Sequence, residues 1–223
     1  MKTRIGCLHA HYSNIGYIEK ELTDENVELV HFVDPGLMFR ISSAGNQHFT
    51  GIQERVASQL EWISQSDVDA VLITCTNYIA LLQGVQLPLT VPVIKIDEPF
   101  FGGVCDVEEP QILLFTNPAT VAGTMERLDE YARRHGKSIK VEVRVIENTF
   151  DLIMQGNKEA YDTEISKYIQ GLTLTNPNQV ISVAQLSMVD AARHVEAEMN
   201  VRILNPLTAL VTHMQSTVLE KNK

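Results

Sequence analysis

The sequence of 223 residues is long enough for one large domain or two small ones, with a substantial hydrophobic core. Hydrophobic residues make up 44% and charged residues 21%, as is typical of a soluble globular protein, and the net charge of −10 argues against nucleic acid as a partner. No apolar run approaches membrane-spanning length, and the start of the chain leads into a strand-like run without a signal-peptide cleavage site.

The cysteines and histidines indicate the cellular compartment and whether the protein is expected to bind a metal ion. The three cysteines are odd in number and widely spaced, which indicates a reducing compartment, so we predict a cytoplasmic protein. The sequence contains no CxxC pair and no cysteine–histidine cluster, and His11, His31 and His48 show no metal-ligand spacing. We therefore predict no metal site.

The first half of the chain alternates strand-like and helix-like segments. Its β-branched and aliphatic runs predict strands at 3–8, 27–33, 71–74 and 91–96. A short helix is predicted from Ser13 and a longer one over 50–64, whose apolar residues recur on one face: Ile52, Val56, Leu60 and Ile63. The polar residues 42–47 are interpreted as a loop.

The second half repeats this pattern. Strands are predicted at 111–115, 140–146, 179–184 and 201–204. Asn117 followed by Pro118 is a strong helix-start signal, with Asn117 as the N-cap. Further helices are predicted from about Lys158, with Tyr161 on its apolar face, and from about Leu207.

The two halves can be overlaid strand by strand, in order and with nearly constant spacing. In this overlay His9 falls on Thr116 and Cys75 falls on Gln185. We therefore predict an internal duplication of a four-strand β-α unit. The fold class is α/β, with two pseudo-symmetric lobes, each a mainly parallel four-stranded sheet flanked by helices. The lobes would comprise residues 1–95 with 207–223, and residues 96–206.

The stretch Val71–Tyr78 changes abruptly from aliphatic residues to Thr, Cys, Thr and Asn. This places Cys75 at the carboxyl end of a strand, the edge at which open α/β sheets bind ligands. With Thr76 or Asn77 as the cap, the next helix would offer N–H groups and a positive dipole to a carboxylate. That field would lower the pKa of the Cys75 thiol and make it a base or a nucleophile. A plain core cysteine is the alternative.

Two lobes of this kind would share a cleft at their strand ends, where we predict the active site. Besides Cys75, the residues expected near it are polar and mainly neutral, as suits a small carboxylate: His9, Asn14, Thr76, Asn77, Thr116, Asn117, Gln185 and Ser187. For Ser187 the alternative is a helix cap, since Ser187-Met188 precedes Asp190 in a capping-box-like start.

Four short segments carry a family resemblance: Thr74–Asn77, Ile96–Pro99, Leu114–Thr120 and Ala184–Met188. In their order and with the duplication, they resemble the aspartate/glutamate racemase superfamily. These enzymes need no pyridoxal phosphate and include hydantoin racemases, maleate isomerases and arylmalonate decarboxylase. The resemblance implies two α/β lobes with the active site between them, no cofactor, and a homodimer or higher homo-oligomer.

The departures from the family pattern bear on the reaction. Racemases of this family use two cysteines, one on each face of the substrate Cα. Cys75 matches the first, but Gln185 stands where the second would be, and neither Cys7 nor Cys105 aligns with it. His9 stands where glutamate racemases have an acidic residue.

The resemblance therefore implies an enzyme that acts at the carbon alpha to a carboxylate of a small acid or amino acid, with Cys75 as thiolate base. The alternatives are a one-cysteine isomerase, lyase or decarboxylase of the same superfamily, and a non-catalytic protein that binds small acids.

Overall fold

The computed structural model describes residues 2–24, 26–43 and 49–216. The chain divides into two compact units, Met1–Glu98 with Val211–Lys223 and Pro99–Leu210. These boundaries lie within a few residues of the predicted ones. Most of the predicted 42–47 loop and His48 lie outside the described residues.

The first unit contains a parallel four-stranded sheet with the strand order β2-β1-β3-β4. Its strands are β1 (Thr3–His9), β2 (Val27–Val33), β3 (Ala70–Ile73) and β4 (Val93–Lys95). The helices that follow these strands are α1 (Ser13–Leu22), α2 (Pro35–Ser43), α3 (Phe49–Ser64), α4 (Thr76–Leu81) and α5 (Asp97–Cys105). All four strands were predicted, whereas α2 and α5 were not.

Helix α3 covers one face of this sheet. The four apolar residues that predicted it are all buried: Ile52, Val56, Leu60 and Ile63. Gly6 in β1 allows the close approach, because a Cβ there would lie 2.5 Å from the Ile63 side chain. Strands β1 and β3 are buried along almost their whole length, as is typical of a parallel sheet whose two faces are both covered by helices.

The second unit contains a parallel four-stranded sheet with the order β6-β5-β7-β8. Its strands are β5 (Gln111–Phe115), β6 (Val141–Val145), β7 (Val180–Val183) and β8 (Ile203–Leu204). Its helices are α6 (Val121–Arg134), α7 (Thr149–Met154), α8 (Lys158–Thr175), α9 (Val189–Met199) and α10 (Pro206–Met214), and 3₁₀ helices precede α6 and α9 at Pro118–Thr120 and Leu186–Met188. Helix α10 runs across the boundary at Leu210.

Two apolar clusters form the core of this unit, one on each face of the sheet. Ile112 and Leu114 in β5 pack with α8 and α9, and Leu113 and Phe115 pack with α5 and α6. Alternate residues of a strand point to opposite faces, so β5 is buried on both.

Among the described residues, no helix combines the length and the apolar character needed to cross a membrane.

The two sheets share one strand order, as the duplication predicts, but the overlay of His9 on Thr116 is out of register. Thr74 N donates to Leu8 O in the first unit, and Ala184 N donates to Leu114 O in the second. Cys75 therefore does correspond to Gln185, but His9 corresponds to Phe115 instead of Thr116. The overlay of His9 on Thr116 was wrong by one residue, and such a slip turns a side chain to the other face of a sheet.

Candidate functional site

Cys75 lies where strand β3 passes into helix α4. All four residues of β3 are buried, and Cys75 is itself the N-cap of α4, with φ −107° and ψ 115°. The helix begins at Thr76, so the prediction that Thr76 or Asn77 caps it was wrong. The Cys75 side chain is 9% exposed and makes no capping hydrogen bond. The thiol thus lies at the helix start, where unpaired N–H groups concentrate.

A buried hydrogen-bond network centres on Thr74, the residue before Cys75. Its Oγ1 lies 2.8 Å from His9 Nδ1 and 3.3 Å from Asn14 Nδ2, which donates to it. The same hydroxyl donates to Leu8 O at 3.3 Å. The network therefore brings the predicted site residues His9 and Asn14 to the residue adjoining the candidate thiol.

The His9 ring also faces a second histidine. His9 Nε2 lies 2.8 Å from His31 Nδ1 in the neighbouring strand. Burial, and then the proximity of His31, lowers the pKa of His9 to about 4, so His9 is neutral at pH 7. Because its side chain is fully buried, the geometry gives His9 a positioning role on Thr74. Direct contact of His9 with a substrate stays a prediction.

Tyr78, in the first turn of α4, was not predicted as a site residue. Its hydroxyl donates to Asp34 O at 2.9 Å, which ties α4 to the end of β2. Burial, followed by the proximity of Cys75, raises the pKa of Tyr78. The sequence gives only a weak signal for this hydrogen bond, because a tyrosine on a helix more often packs against the hydrophobic core without such a partner.

In the second unit, Gln185 is the N-cap of the Leu186–Met188 3₁₀ helix. Its amide oxygen accepts hydrogen bonds from Thr116 N at 2.6 Å, Thr116 Oγ1 at 2.8 Å and Asn117 N at 3.2 Å. These donors are the ones we expected to hold a substrate carboxylate. The Gln185 side chain already satisfies them, so a carboxylate would have to displace the amide to bind there.

Tyr161 of α8 completes the network of this unit. Its hydroxyl lies 3.0 Å from Thr116 Oγ1 and 2.7 Å from Ser187 Oγ. Helix α9 begins at Val189 and Ser187 does not cap it, so the capping-box interpretation was wrong. Asn117 does act as the predicted N-cap, since its Oδ1 accepts from Ala119 N at 3.0 Å.

The predicted site residues thus form two sets, each within its own unit. His9 and Asn14 gather at Thr74 and Cys75, while Thr76 and Asn77 open α4 and are partly buried. The second set joins the remaining predicted residues to the buried Tyr161: Thr116, Asn117, Gln185 and Ser187.

A cavity of about 670 Å³ lies elsewhere in the first unit, between β2 and α3. Arg55, Gln59 and Trp62 line it, and none of the predicted site residues does. The Cys75 strand end, in contrast, brings together a thiol, a helix start and a buried polar network.

No protein-family model matches the chain, and neither does any curated protein sequence. Solved structures do match. An allantoin racemase from Klebsiella pneumoniae matches with a TM-score of 0.69 and 17% identity over 99% of this chain and 89% of the other. An aspartate racemase from Picrophilus torridus matches with a TM-score of 0.70 and 12% identity over 96% and 94% of the two chains.

A glutamate racemase isoform from Bacillus anthracis matches with a TM-score of 0.68 and 15% identity, over 98% of this chain and 82% of that one. At identities this low the likeness establishes the fold. The fold class predicted from the sequence is thereby confirmed: the chain shares the two-sheet α/β fold of these racemase structures.

Proposed function

We propose that the protein is a cofactor-independent enzyme that acts at the carbon alpha to the carboxylate of a small acid or amino acid, with Cys75 as the base. The observation that carries the proposal is the position of Cys75, which lies two residues after β3 and caps α4 in a fold shared with racemases. Removal of a Cα proton leaves negative charge on the carboxylate, so the site needs a base and hydrogen-bond donors side by side.

In this mechanism the Cys75 thiolate takes the Cα proton. The backbone N–H groups at the start of α4, beginning with Thr76, stabilise the enolate-like carboxylate as the proton leaves. His9 is neutral and buried, and it holds Thr74 so that the strand end keeps its geometry. Asn14 donates to the same hydroxyl from α1.

Gln185 limits which reaction is possible. An amide neither takes nor gives a proton at neutral pH, and the oxygen of this one is held by Thr116 and Asn117. One acid–base group returns the proton to the face from which it came, which gives exchange without inversion. This favours a one-cysteine isomerase, lyase or decarboxylase over a two-cysteine racemase.

A binding protein that has lost turnover is the second candidate. The observation that favours it is the saturation of the Thr116 and Asn117 donors by a side chain of the same unit. Such a protein would bind a small acid and leave its Cα–H bond intact.

Proton exchange tests the proposal directly. Small acids and amino acids, aspartate and glutamate among them, are incubated with the protein in heavy water, and loss of the Cα–H signal is followed by NMR. We expect exchange with the wild type, loss of it in Cys75→Ala, and wild-type rates in the matched control Cys105→Ala. Exchange that survives in Cys75→Ala would overturn the assignment of the base. Binding of an acid without exchange would favour the second candidate.

A further inference from the structure

Three potential metal ligands from two neighbouring strands meet on one face of the first sheet. Cys7 and His9 are two residues apart in β1, and His31 is the residue of β2 paired with Cys7. The Cys7 sulfur and one ring nitrogen of each histidine all lie within 4.8 Å of one another, the only such group of three or more in the described part of the chain. Sequence spacing could not reveal it, because strand pairing creates it.

We propose that Cys7, His9 and His31 form a site for zinc or a similar borderline-soft divalent metal, clamping β1 to β2. One thiolate and two imidazoles are a donor set that suits zinc. In a tetrahedral zinc site, neighbouring ligand atoms lie roughly 3.3–3.6 Å apart, as follows from the usual metal–ligand bond lengths. The facing atoms His9 Nε2 and His31 Nδ1 are 2.8 Å apart, so a metal between them requires an opening of about half an ångström.

Each outer ring nitrogen faces a polar side chain, at hydrogen-bond distance for His9 and at 3.7 Å for His31. Metal-binding histidines usually hydrogen-bond through their second nitrogen, which fixes the tautomer and the ring orientation. His9 Nδ1 lies 2.8 Å from Thr74 Oγ1, and His31 Nε2 lies 3.7 Å from Glu19 Oε1. Among the described residues His31 Nε2 has no hydrogen-bond partner, although it is buried. A tautomer with the proton on Nε2 would direct it to Glu19.

The protons and charges of this site balance. Metal binding releases the Cys7 thiol proton to solvent, and each imidazole binds through a lone pair with its single proton on the outer nitrogen. A divalent ion with one thiolate leaves one positive charge, which the Glu19 carboxylate offsets. Three protein ligands leave a fourth position for water.

Cobalt is a suitable probe, because a cysteine thiolate bound to Co²⁺ gives a sulfur-to-metal charge-transfer absorption band. Chelator-treated full-length protein is titrated with Co²⁺, and then with Zn²⁺ in competition. We expect one Co²⁺ per chain with this band in the wild type. The band should disappear in Cys7→Ser, and the metal affinity of His31→Gln should fall by at least about 100-fold. Glu19→Gln, which keeps all three ligands, should lose about 10-fold.

Two cysteine variants serve as controls. Cys105→Ser and Cys75→Ser should keep the band, because neither residue belongs to the cluster. A band lost in Cys75→Ser but kept in Cys7→Ser would place the metal on the other thiol and overturn the proposal, as would a wild type that gives no band. Should Cys7→Ser fail to fold, His31→Gln decides, since His31 is only partly buried on an edge strand. Zn²⁺ should raise the melting temperature of the wild type and leave that of His31→Gln unchanged.

Discussion

The Gln185 amide oxygen lies 2.6 Å from the backbone nitrogen and 2.8 Å from the hydroxyl oxygen of Thr116. It occupies the position in which a bound carboxylate oxygen would meet the same donors. A residue predicted to bind a substrate is therefore also a structural tie between the ends of β5 and β7. Its two roles can be separated by substitution.

Gln185→Ala should destabilise the protein by about 1–3 kcal/mol, because it leaves the N–H of the buried Thr116 without its acceptor. Gln185→Glu keeps the acceptor and adds charge, so the free energy of unfolding at pH 7 should equal or exceed the wild-type value. N–H donors lower the pKa of such a carboxyl, so this gain should vanish as the pH falls below roughly 4.

Urea unfolding of both variants measures these effects. Gln155→Ala, an exposed glutamine in the same unit, should stay within about 0.5 kcal/mol of the wild type. An alanine variant as stable as the wild type would mean that water replaces the amide oxygen at no cost.

Gly6→Ala should cost on the order of 1–3 kcal/mol, since its Cβ would lie 2.5 Å from the Cγ2 of the fully buried Ile63. The matched control is Gly16→Ala in α1, where a Cβ would have no heavy atom of the described residues within 4 Å. That change should raise stability by roughly 0.5–1 kcal/mol, because alanine is the better helix former. Thermal unfolding of the two variants should shift in opposite directions.

Much of the fold could be predicted because parallel strands and amphipathic helices leave strong local patterns. Strand β2 was predicted at Val27–Val33, where it lies, and the apolar face of α3 was predicted residue by residue. Helices α2, α5 and α7, of nine, nine and six residues, were missed because so few turns give no clear periodicity.

The candidate site could be predicted only in part, because its contacts depend on register and on side chains from distant segments. The strand end at Cys75 was visible from the sequence, but the bonds from Tyr161 to Thr116 and Ser187 were not. The one-residue error that set His9 against Thr116 has the same origin. A few residues of strand define a register only when their hydrogen bonds are known.

Tyr161 should make stability fall at alkaline pH. Burial raises the pKa of Tyr161 from its ordinary value of 10.0 to about 12, so the unfolded chain loses the phenolic proton more readily than the folded one. The stability that this group contributes is complete below pH 10 and is lost as the pH rises through 12. A difference of this size corresponds to roughly 3 kcal/mol.

Tyr161→Phe should be less stable than the wild type by about 1 kcal/mol at pH 7, through loss of its hydrogen bonds, but its stability should decline less between pH 10 and 12. Urea unfolding across this range makes the comparison, and Tyr12→Phe, at an exposed tyrosine, should follow the wild type. Parallel alkaline curves for wild type and Tyr161→Phe would contradict the prediction.

Iodoacetamide should label Cys75 at least about tenfold faster than Cys7 or Cys105, because only thiolates react. Burial raises the pKa of Cys7 to about 12 and also raises that of Cys105. Cys75 and Cys105 are similarly exposed, at 9% and 7%, so the ratio of their rates reports thiolate character. Peptide mass spectrometry gives the rates, and a small dicarboxylate should protect Cys75. Equal labelling of all three cysteines would argue against a catalytic thiol.

The remaining prediction concerns stereochemistry. With Cys75 as the single acid–base group, the wild type should exchange the Cα proton with little change of configuration. Gln185→Cys places a thiol at the position where the family resemblance predicts a second cysteine. General acid–base groups contribute on the order of 10²–10⁴-fold in rate, so racemisation should become measurable in this variant.

Chiral chromatography of aspartate and glutamate incubated with each form tests this prediction, with Gln185→Ser as the matched control. Serine also removes the amide oxygen that holds Thr116 and Asn117, but its hydroxyl does not ionise at neutral pH, so only the cysteine variant should gain racemisation. Rapid racemisation by the wild type would mean that another group supplies the second proton. Ser187 would then be the first residue to replace, because it is partly exposed whereas His9 is fully buried. Tight binding of an acid without turnover in any form would leave the binding protein as the better description.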